Sequence, residues 1–306
     1  MTTFLLLTFA LLLDAYAGEP RWLWSRIPHP AVIMGSAIES LDNALNKSSG
    51  ARTEGTIAIL LLVTGAGIIG WIISLLGPLV SILGVAVLLA QKSLIDHVRA
   101  VSNGLRQSEM SGSQALSRIV GRDVNQLTPP ETARAAIESL AENLSDGVIA
   151  PAFWFLIAGF PGILVYKTVN TADSMIGYRT TRYATFGWAT ARLDDFLKWI
   201  PARIAALLIA LAGQSTKKWN YIAMDAVRHR SPNAGWPEAA VAHSLSIALA
   251  GPRSYNGKMQ DLAWLNGKAR HDLDSVDIDA AIFLIWRAWG LGLVITILAG
   301  GLLWIF

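Results

Sequence analysis

The chain has 306 residues, 53% of them hydrophobic and only 15% charged, where a soluble domain carries about a quarter charged residues. That composition belongs to an integral membrane protein, and the complete absence of cysteine excludes disulfides, thiolate nucleophiles, zinc–cysteine sites and iron–sulfur clusters. Five histidines without metal-binding spacing, and a net charge of +3 of the kind that Lys- and Arg-rich cytoplasmic loops produce, give no sign of a histidine metal cage or of nucleic-acid binding.

Taken in order, Phe4 to Gly18 is apolar like the core of a signal peptide, but it lacks a basic start and Asp14 interrupts it, so it reads as a retained anchor. A loop is expected from Glu19 to Glu54, with a turn at "RIPHPAV". Thr56 to Ile73 and Pro78 to Ala90 are apolar runs joined by "SLLGP", the pattern of a tight helical hairpin. Gln91 to Gln126 is polar and carries Lys92, Arg99, Arg106, Arg118 and Arg122. Val148 to Val165 is apolar but broken by "GFPG", too short on either side for two spans of ~20 residues. Pro201 to Ala212 is short as well, two "NGK" triplets at Asn256 and Asn266 read as turns, and Ala288 to Phe306 makes about one span.

Basic residues set the sidedness. The loops flanking the 56–90 pair lie on one side of a hairpin, and their Lys and Arg place that side in the cytoplasm. A full span at Val148 to Val165 would then send Lys167, Arg179, Arg182, Arg192 and Lys198 outside. A re-entrant hairpin turning at Phe160-Pro161-Gly162 avoids this, and requires that the turn be buried in protein or line a cavity. The fold expected is all-α: a polytopic membrane protein with transmembrane and re-entrant helices and helical cytoplasmic loops, forming one membrane-embedded catalytic domain over residues 1–306.

Three stretches could carry chemistry. In the first, "TPPE" at Thr128 to Glu131 supplies an N-cap threonine, a proline at the first helical position and the glutamate of a capping box. Glu138, Glu142 and Asp146 follow four apart on one helical face, with Gly147 the expected stop. Like charges there repel, and carboxylates near a helix C-terminus oppose its dipole, so the arrangement is unfavourable without a cation. Magnesium suits it, being held by one or two carboxylates plus substrate phosphates; the plain alternative is a solvated acidic face.

The second stretch, Tyr166 to Arg203, sets Asn170 and Asp173 at i, i+3 with Gly177 one turn on, and offers Arg179, Arg182 and Arg192 as planar donors to phosphate or carboxylate. Asp194 and Asp195 are further candidates, although Asp194 is also placed to pair with Lys198, and Trp188 and Trp199 to anchor at an interface. The third, Val227 to Pro252, puts Arg228, His229 and Arg230 before a turn, after which Pro237 opens a helix expected to end at Gly251. A helix start beside two arginines can bind phosphate, while His243 on its small-residue face reads as packed. There is no P-loop, Gly-x-Ser-x-Gly or Gly-x-Gly-x-x-Gly sequence. Together these features suggest metal-assisted chemistry on phosphorylated substrates at the cytoplasmic face of the membrane.

"ESLAENLSDGVIAPAFW", "NTADSMIGYRTTRYATFGWATARLDDFLKWIPAR" and "SPNAGWPEAA", with "LLLDAYAGEPRW" and "PHPAVIMG" before them, resemble the CbiB/CobD family of cobalamin biosynthesis, the adenosylcobinamide-phosphate synthases. The resemblance covers nearly the whole chain; Ala172 stands where the family pattern has leucine. It implies an enzyme of the bacterial cytoplasmic (inner) membrane, its active site facing the cytoplasm. That enzyme joins aminopropanol or its O-phosphate to the propionate carboxylate of adenosylcobyric acid, an adenosylcorrinoid, as an amide. ATP and Mg2+ are expected to activate the carboxylate as an acyl phosphate. On this resemblance Glu138, Glu142 and Asp146 are assigned to magnesium, and Asn170 and Asp173, with Asp146, to the catalytic centre. Arg182, Arg230, Ser231 and Asn233 are assigned to phosphate, and Asp194 and Asp195 to the nucleotide. Membrane lipid and other late cobalamin enzymes are the expected partners. The alternatives are a magnesium-dependent membrane prenyl- or phospho-transferase, since Asn-x-x-Asp and acidic clusters also serve diphosphate ionisation, and a non-enzymatic transporter or sensor.

Overall fold

The computed structural model describes residues 2–47, 51–121, 124, 127–255 and 258–305. Arg122 and the Asn256-Gly257 part of one expected turn lie outside them. The described chain is mostly helical, with very little strand. Four stretches, Arg52–Ser74, Pro78–Gln107, Pro129–Ile176 and Ser275–Leu302, are long and apolar enough to cross a membrane. The fold is therefore the expected all-α polytopic one. The chain divides into two compact units and passes between them four times: Met1–Ala90, Ala150–Lys198 and Thr296–Phe306 form the first, Gln91–Ile149 and Trp199–Ile295 the second.

In the first unit α1 (Thr3–Ala17) begins at Thr2, whose hydroxyl accepts from the Leu5 amide, and buries Leu7, Ala10, Leu11 and Asp14. With 15 residues it is shorter than the ~20 that a bilayer needs. The expected loop from Glu19 to Glu54 instead contains α2 (Arg21–Trp24) and α3 (Pro30–Leu45), the latter capped by His29 with Pro30 at its first position. The turn into α5 (Pro78–Leu88) from α4 (Arg52–Ser74) is the one expected, with Gly77 at φ +97° and Pro78 opening the next helix. The core forms where α9 (Ala150–Ile176) packs on α3 and α4, through Ile38, Ile59, Leu62, Tyr166, Val169 and Phe186.

Helix α9 is two helices. Ala158 and Gly159 leave helical geometry, and Gly159 sits at φ +61°, ψ −151°, a region open only to glycine. A Cβ on Gly162 would fall 2.3 Å from the carbonyl oxygen of Trp154, eight residues earlier. In a continuous helix those residues would be ~12 Å apart along the axis, so the chain bends back on itself here. The reversal is the one read from "GFPG" but lies at Ala158-Gly159 and not at Phe160-Pro161-Gly162. The physical reason is that Gly159 takes the conformation no other residue tolerates, while Pro161 falls in the first turn of the next helix, where its missing N–H is not needed.

In the second unit α6 (Gln91–Gln107), α7 (Glu109–Leu116) and α8 (Pro129–Leu144) pack together, burying Val98, Val101, Leu116, Ile137 and Leu140. The segment expected to be merely polar is thus an amphipathic helix and a short companion. The capping box of α8 is present: Glu131 Oε2 accepts from the Thr128 amide at 2.8 Å. The helix does not stop at Gly147. It continues through a π turn, Ser145–Ile149, because Ser145, Gly147 and Val148 are all buried and packing outweighs glycine's preference for ending a helix. The rest of the unit is α10 (Trp188–Ala212) from Trp199 onward, α11 (Trp219–Arg228) and α12 (Gly235–Leu245). Two small antiparallel pairs follow, β1 (Leu249–Ala250) with β4 (Trp264–Leu265) and β2 (Arg253–Tyr255) with β3 (Lys258–Gln260), and then α13 (Ser275–Ile305) up to Ile295. The short run at Pro201 to Ala212 is the end of α10, and the closing span starts at Ser275, thirteen residues before Ala288.

Candidate functional site

The acidic line on α8 does not stay a line. Each four-residue step in a helix over-rotates by about 40°, and the π turn adds a further twist, so the three carboxylates reach different surroundings. Glu138 is buried, with Oε1 accepting the Ala250 amide at 2.7 Å and Oε2 3.1 Å from the Arg253 guanidinium. Glu142 is exposed and Asp146, on the π turn, is half-buried. Among the described residues no group of three or more His, Asp or Glu side chains is placed to cage a metal. Glu138 is an internal ion-pair member, and of the three carboxylates only Glu142 is exposed.

In the first unit the Asn170–Asp173–Gly177 spacing has a definite geometry. The Gly177 amide donates to the Asp173 carbonyl at 2.8 Å, ending α9, and a Cβ on Gly177 would fall 2.0 Å from Asp173 Oδ1. The carboxylate lies across the glycine, which is why the position has no side chain. Asp173 and Asn170 are both half-buried. Arg182, expected at phosphate, donates to Asp42 Oδ2 at 2.7 Å while remaining 54% exposed. Asp42 also accepts from Tyr183 Oη at 3.1 Å and from Asn46 Nδ2 at 2.8 Å. Burial raises the Asp42 pKa, but these three donors outweigh it and hold the carboxyl below its ordinary 3.8. Sequence reasoning missed Asp42 because its partner is 140 residues away; the only local signal was Asn46 one turn later on a segment read as loop.

Asp194 and Lys198 form the i, i+4 pair at 2.6 Å, both buried, so here the plain reading of Asp194 describes the geometry. Asp195 is half-buried, 3.8 Å from Arg192, and burial pushes its carboxyl up against the pull of Arg192, Lys198 and Arg179.

The third stretch, in the second unit, is built differently from expectation. The helix opens at Gly235, before Pro237, and ends at Leu245, where Ser246 turns left-handed (φ 55°, ψ 45°) and the chain enters β1, well short of Gly251. Ser231 Oγ accepts from the amides of Asn233 (3.3 Å) and Ala234 (3.1 Å), so the serine occupies donors at the turn that were expected to meet phosphate. Asn233 Oδ1 accepts from Arg203 at 2.8 Å, and that guanidinium lies 4.8 Å from the rings of both Trp199 and Trp236. Arg230 is exposed. His229 is held by the Ser231 amide at Nδ1 (3.2 Å) and faces Glu238 at 3.7 Å; burial lowers its pKa, the Ser231 backbone opposes, and Arg253 and Arg230 lower it further. The imidazole is therefore neutral at pH 7. His243 is packed, as expected, with Nε2 2.8 Å from Asp225, which also accepts the Asn266 amide.

Residues 7–285 match the family model described as CobD/Cbib protein. The chain is 47% identical over 304 residues to the cobalamin biosynthesis protein CobD of Rhizobium meliloti, covering 93% of each. It is 45% identical over 320 residues to the CobD of Brucella anthropi, covering 98% of each, and 42% identical over 308 residues to that of Rhodobacter capsulatus, covering 96% of each. No solved structure matches.

Proposed function

The chain belongs to the CobD/Cbib protein family, and from that premise we propose that it is an adenosylcobinamide-phosphate synthase. Its place is in cobalamin biosynthesis. The proposed reaction joins aminopropanol or its O-phosphate to adenosylcobyric acid at the cytoplasmic face of the bacterial cytoplasmic membrane, with the whole chain acting as one catalytic domain. What supports a magnesium- and ATP-dependent route is the exposure of Glu142 and the place of Asp146 on the π turn that follows it, an irregularity frequent at functional sites.

A carboxylate and an ammonium form a salt at neutral pH, so one carboxylate oxygen must become a leaving group. In the proposed route that oxygen attacks the γ-phosphorus of ATP, forming an O–P bond as ADP departs. The amine nitrogen then attacks the acyl carbon, the C–O bond breaks, phosphate leaves carrying the oxygen, and the nitrogen loses a proton. Two carboxylates fit magnesium, which is held by one or two protein carboxylates with substrate phosphates and water completing its shell. When bound, the ion neutralises polyphosphate charge. We assign it to Glu142 and Asp146, with Glu138 fixing α8 through Arg253. Asp173 and Asn170 orient substrate, and Arg230 and Arg182 meet phosphate. Asp195 attends the nucleotide, while Asn233, Ser231 and Asp194 hold their own segments in shape.

Heavy oxygen tests the route. Purified protein in detergent is given adenosylcobyric acid labelled in its free carboxylate, with Mg2+, ATP and aminopropanol phosphate. Labelled inorganic phosphate is expected in step with amide. Amide formed with wholly unlabelled phosphate, or without ATP, overturns the proposal.

A further inference from the structure

In the second unit α11 carries apolar residues on two opposite sides. Ile222 and Ala226 are buried where the helix packs on α12, while Tyr221, Met224 and Val227 are 63, 55 and 78% exposed. A helix that is hydrophobic all round is normally covered all round, so the outward side of α11 calls for an apolar partner.

Cations bracket that side. Lys217, in the single 3-10 turn Thr216–Lys218 before the helix, and Arg228 at its end are both exposed, and neither has a hydrogen bond or ion pair among the described residues. Lys217, Tyr221, Met224 and Arg228 follow one another at steps of four, three and four, so the apolar and cationic groups share a face. The one carboxylate of α11 is engaged elsewhere: Asp225 Oδ2 lies 2.8 Å from His243 Nε2 and accepts the Asn266 amide at 2.8 Å. Whatever covers the face must therefore offer hydrocarbon at its centre and negative charge at its margins.

A bilayer surface containing anionic phospholipid offers both, and Ser275–Ile295 of the same unit makes up most of a candidate span, so such a surface is already at hand. We propose that α11 is an interfacial helix lying in the headgroup layer, with Tyr221, Met224 and Val227 at the acyl boundary and Lys217 and Arg228 on the phosphates of anionic lipids. The preceding run Pro201 to Ala212 fits the same layer. It is too short to span, and Ile200, Leu207 and Leu211, at i, i+7 and i+11 on α10, are 45–47% exposed while Ala202, Ala206 and Ile209 opposite them are buried. The inference does not depend on the proposed amide chemistry.

The test uses the full-length protein, whose lack of cysteine lets Met224→Cys carry a single fluorophore, in nanodiscs of phosphatidylcholine with a fixed fraction of phosphatidylglycerol. A nitroxide quencher high on one acyl chain is placed either on the phosphatidylglycerol or, at equal content, on the phosphatidylcholine, and aqueous iodide is the third quencher. Both lipids are expected to quench and iodide hardly at all, with phosphatidylglycerol quenching about threefold or more faster than phosphatidylcholine. Adding Lys217→Gln and Arg228→Gln, both on exposed residues, is expected to bring that ratio to about one. Quenching by iodide and not by lipid would mean that the face meets water, and a fluorophore shielded from all three would mean that a second copy covers it; either overturns the proposal. So would lipid quenching with no preference for phosphatidylglycerol in the Met224→Cys protein, or a preference that survives loss of both cations.

Discussion

Replacing Glu138 by alanine separates an architectural carboxylate from a metal ligand. Glu138 is 4% exposed and Arg253 faces it at 3.1 Å with its side chain only 12% exposed, so removing the glutamate strands a buried positive charge. Breaking a buried pair by deleting one partner destabilises by roughly 3–5 kcal/mol. The same change releases the Ala250 amide, now bonded at 2.7 Å, and Ala250 sits at φ +59°, a conformation that a side chain tolerates poorly and that this bond helps to hold. At ~2–4 °C per kcal/mol for a chain of this general size, the apparent melting temperature should fall by about 6–20 °C. Glu138→Ala with Arg253→Met should recover much of the loss, because the stranded charge is gone. Melting is followed in detergent by intrinsic fluorescence, with and without magnesium. A Glu138→Ala protein that melts within a degree or two of wild type but loses its magnesium dependence would refute the reasoning and return Glu138 to the metal.

Glu142→Gln and Asp146→Asn should do the opposite, abolishing amide synthesis at limiting magnesium while leaving the melting temperature unchanged or slightly raised; a magnesium titration of turnover decides. Gly177→Ala forces a Cβ to 2.0 Å from Asp173 Oδ1 and 2.6 Å from the Asp173 carbonyl oxygen, so the carboxylate must swing away and the end of α9 shift with it, and turnover should drop about tenfold or more; full activity in a folded protein would show that Asp173 is not used in that pose. Because the folded-state pKa of Asp42 is depressed, its contribution to stability is complete above the ordinary value of 3.8 and disappears as pH falls through the lowered one. Acid titration of stability should therefore be shallower below pH 3.8 in Asp42→Asn than in wild type. Single cysteines at Ser113 and Thr181 of this cysteine-free chain should both be shielded from an impermeant thiol reagent in intact cells and react after lysis; labelling of Thr181→Cys alone from outside would rule out the re-entrant reading of residues 148–165.

The features that sequence alone determined are those whose causes lie within a turn or two of the residue. The Thr128–Glu131 capping box, the Gly77-Pro78 turn, the Asp194–Lys198 pair and the first two apolar runs all arise from residues close together in the chain, and the structure has them where they were expected. The need for a reversal after Trp154 was legible too, from glycines flanking a proline, although its position awaited the φ angle that Gly159 adopts. The tertiary structure decided which carboxylates are buried and which exposed. Glu138, Glu142 and Asp146 are indistinguishable by spacing, and what separates them is Arg253, 115 residues from Glu138, together with burial that carries α8 through Gly147 as a π turn instead of ending it. Asp42 and Arg182 meet across 140 residues in the same way. Ion pairs and packing of that range depend on which helices the fold brings side by side, and no periodicity in the chain records it.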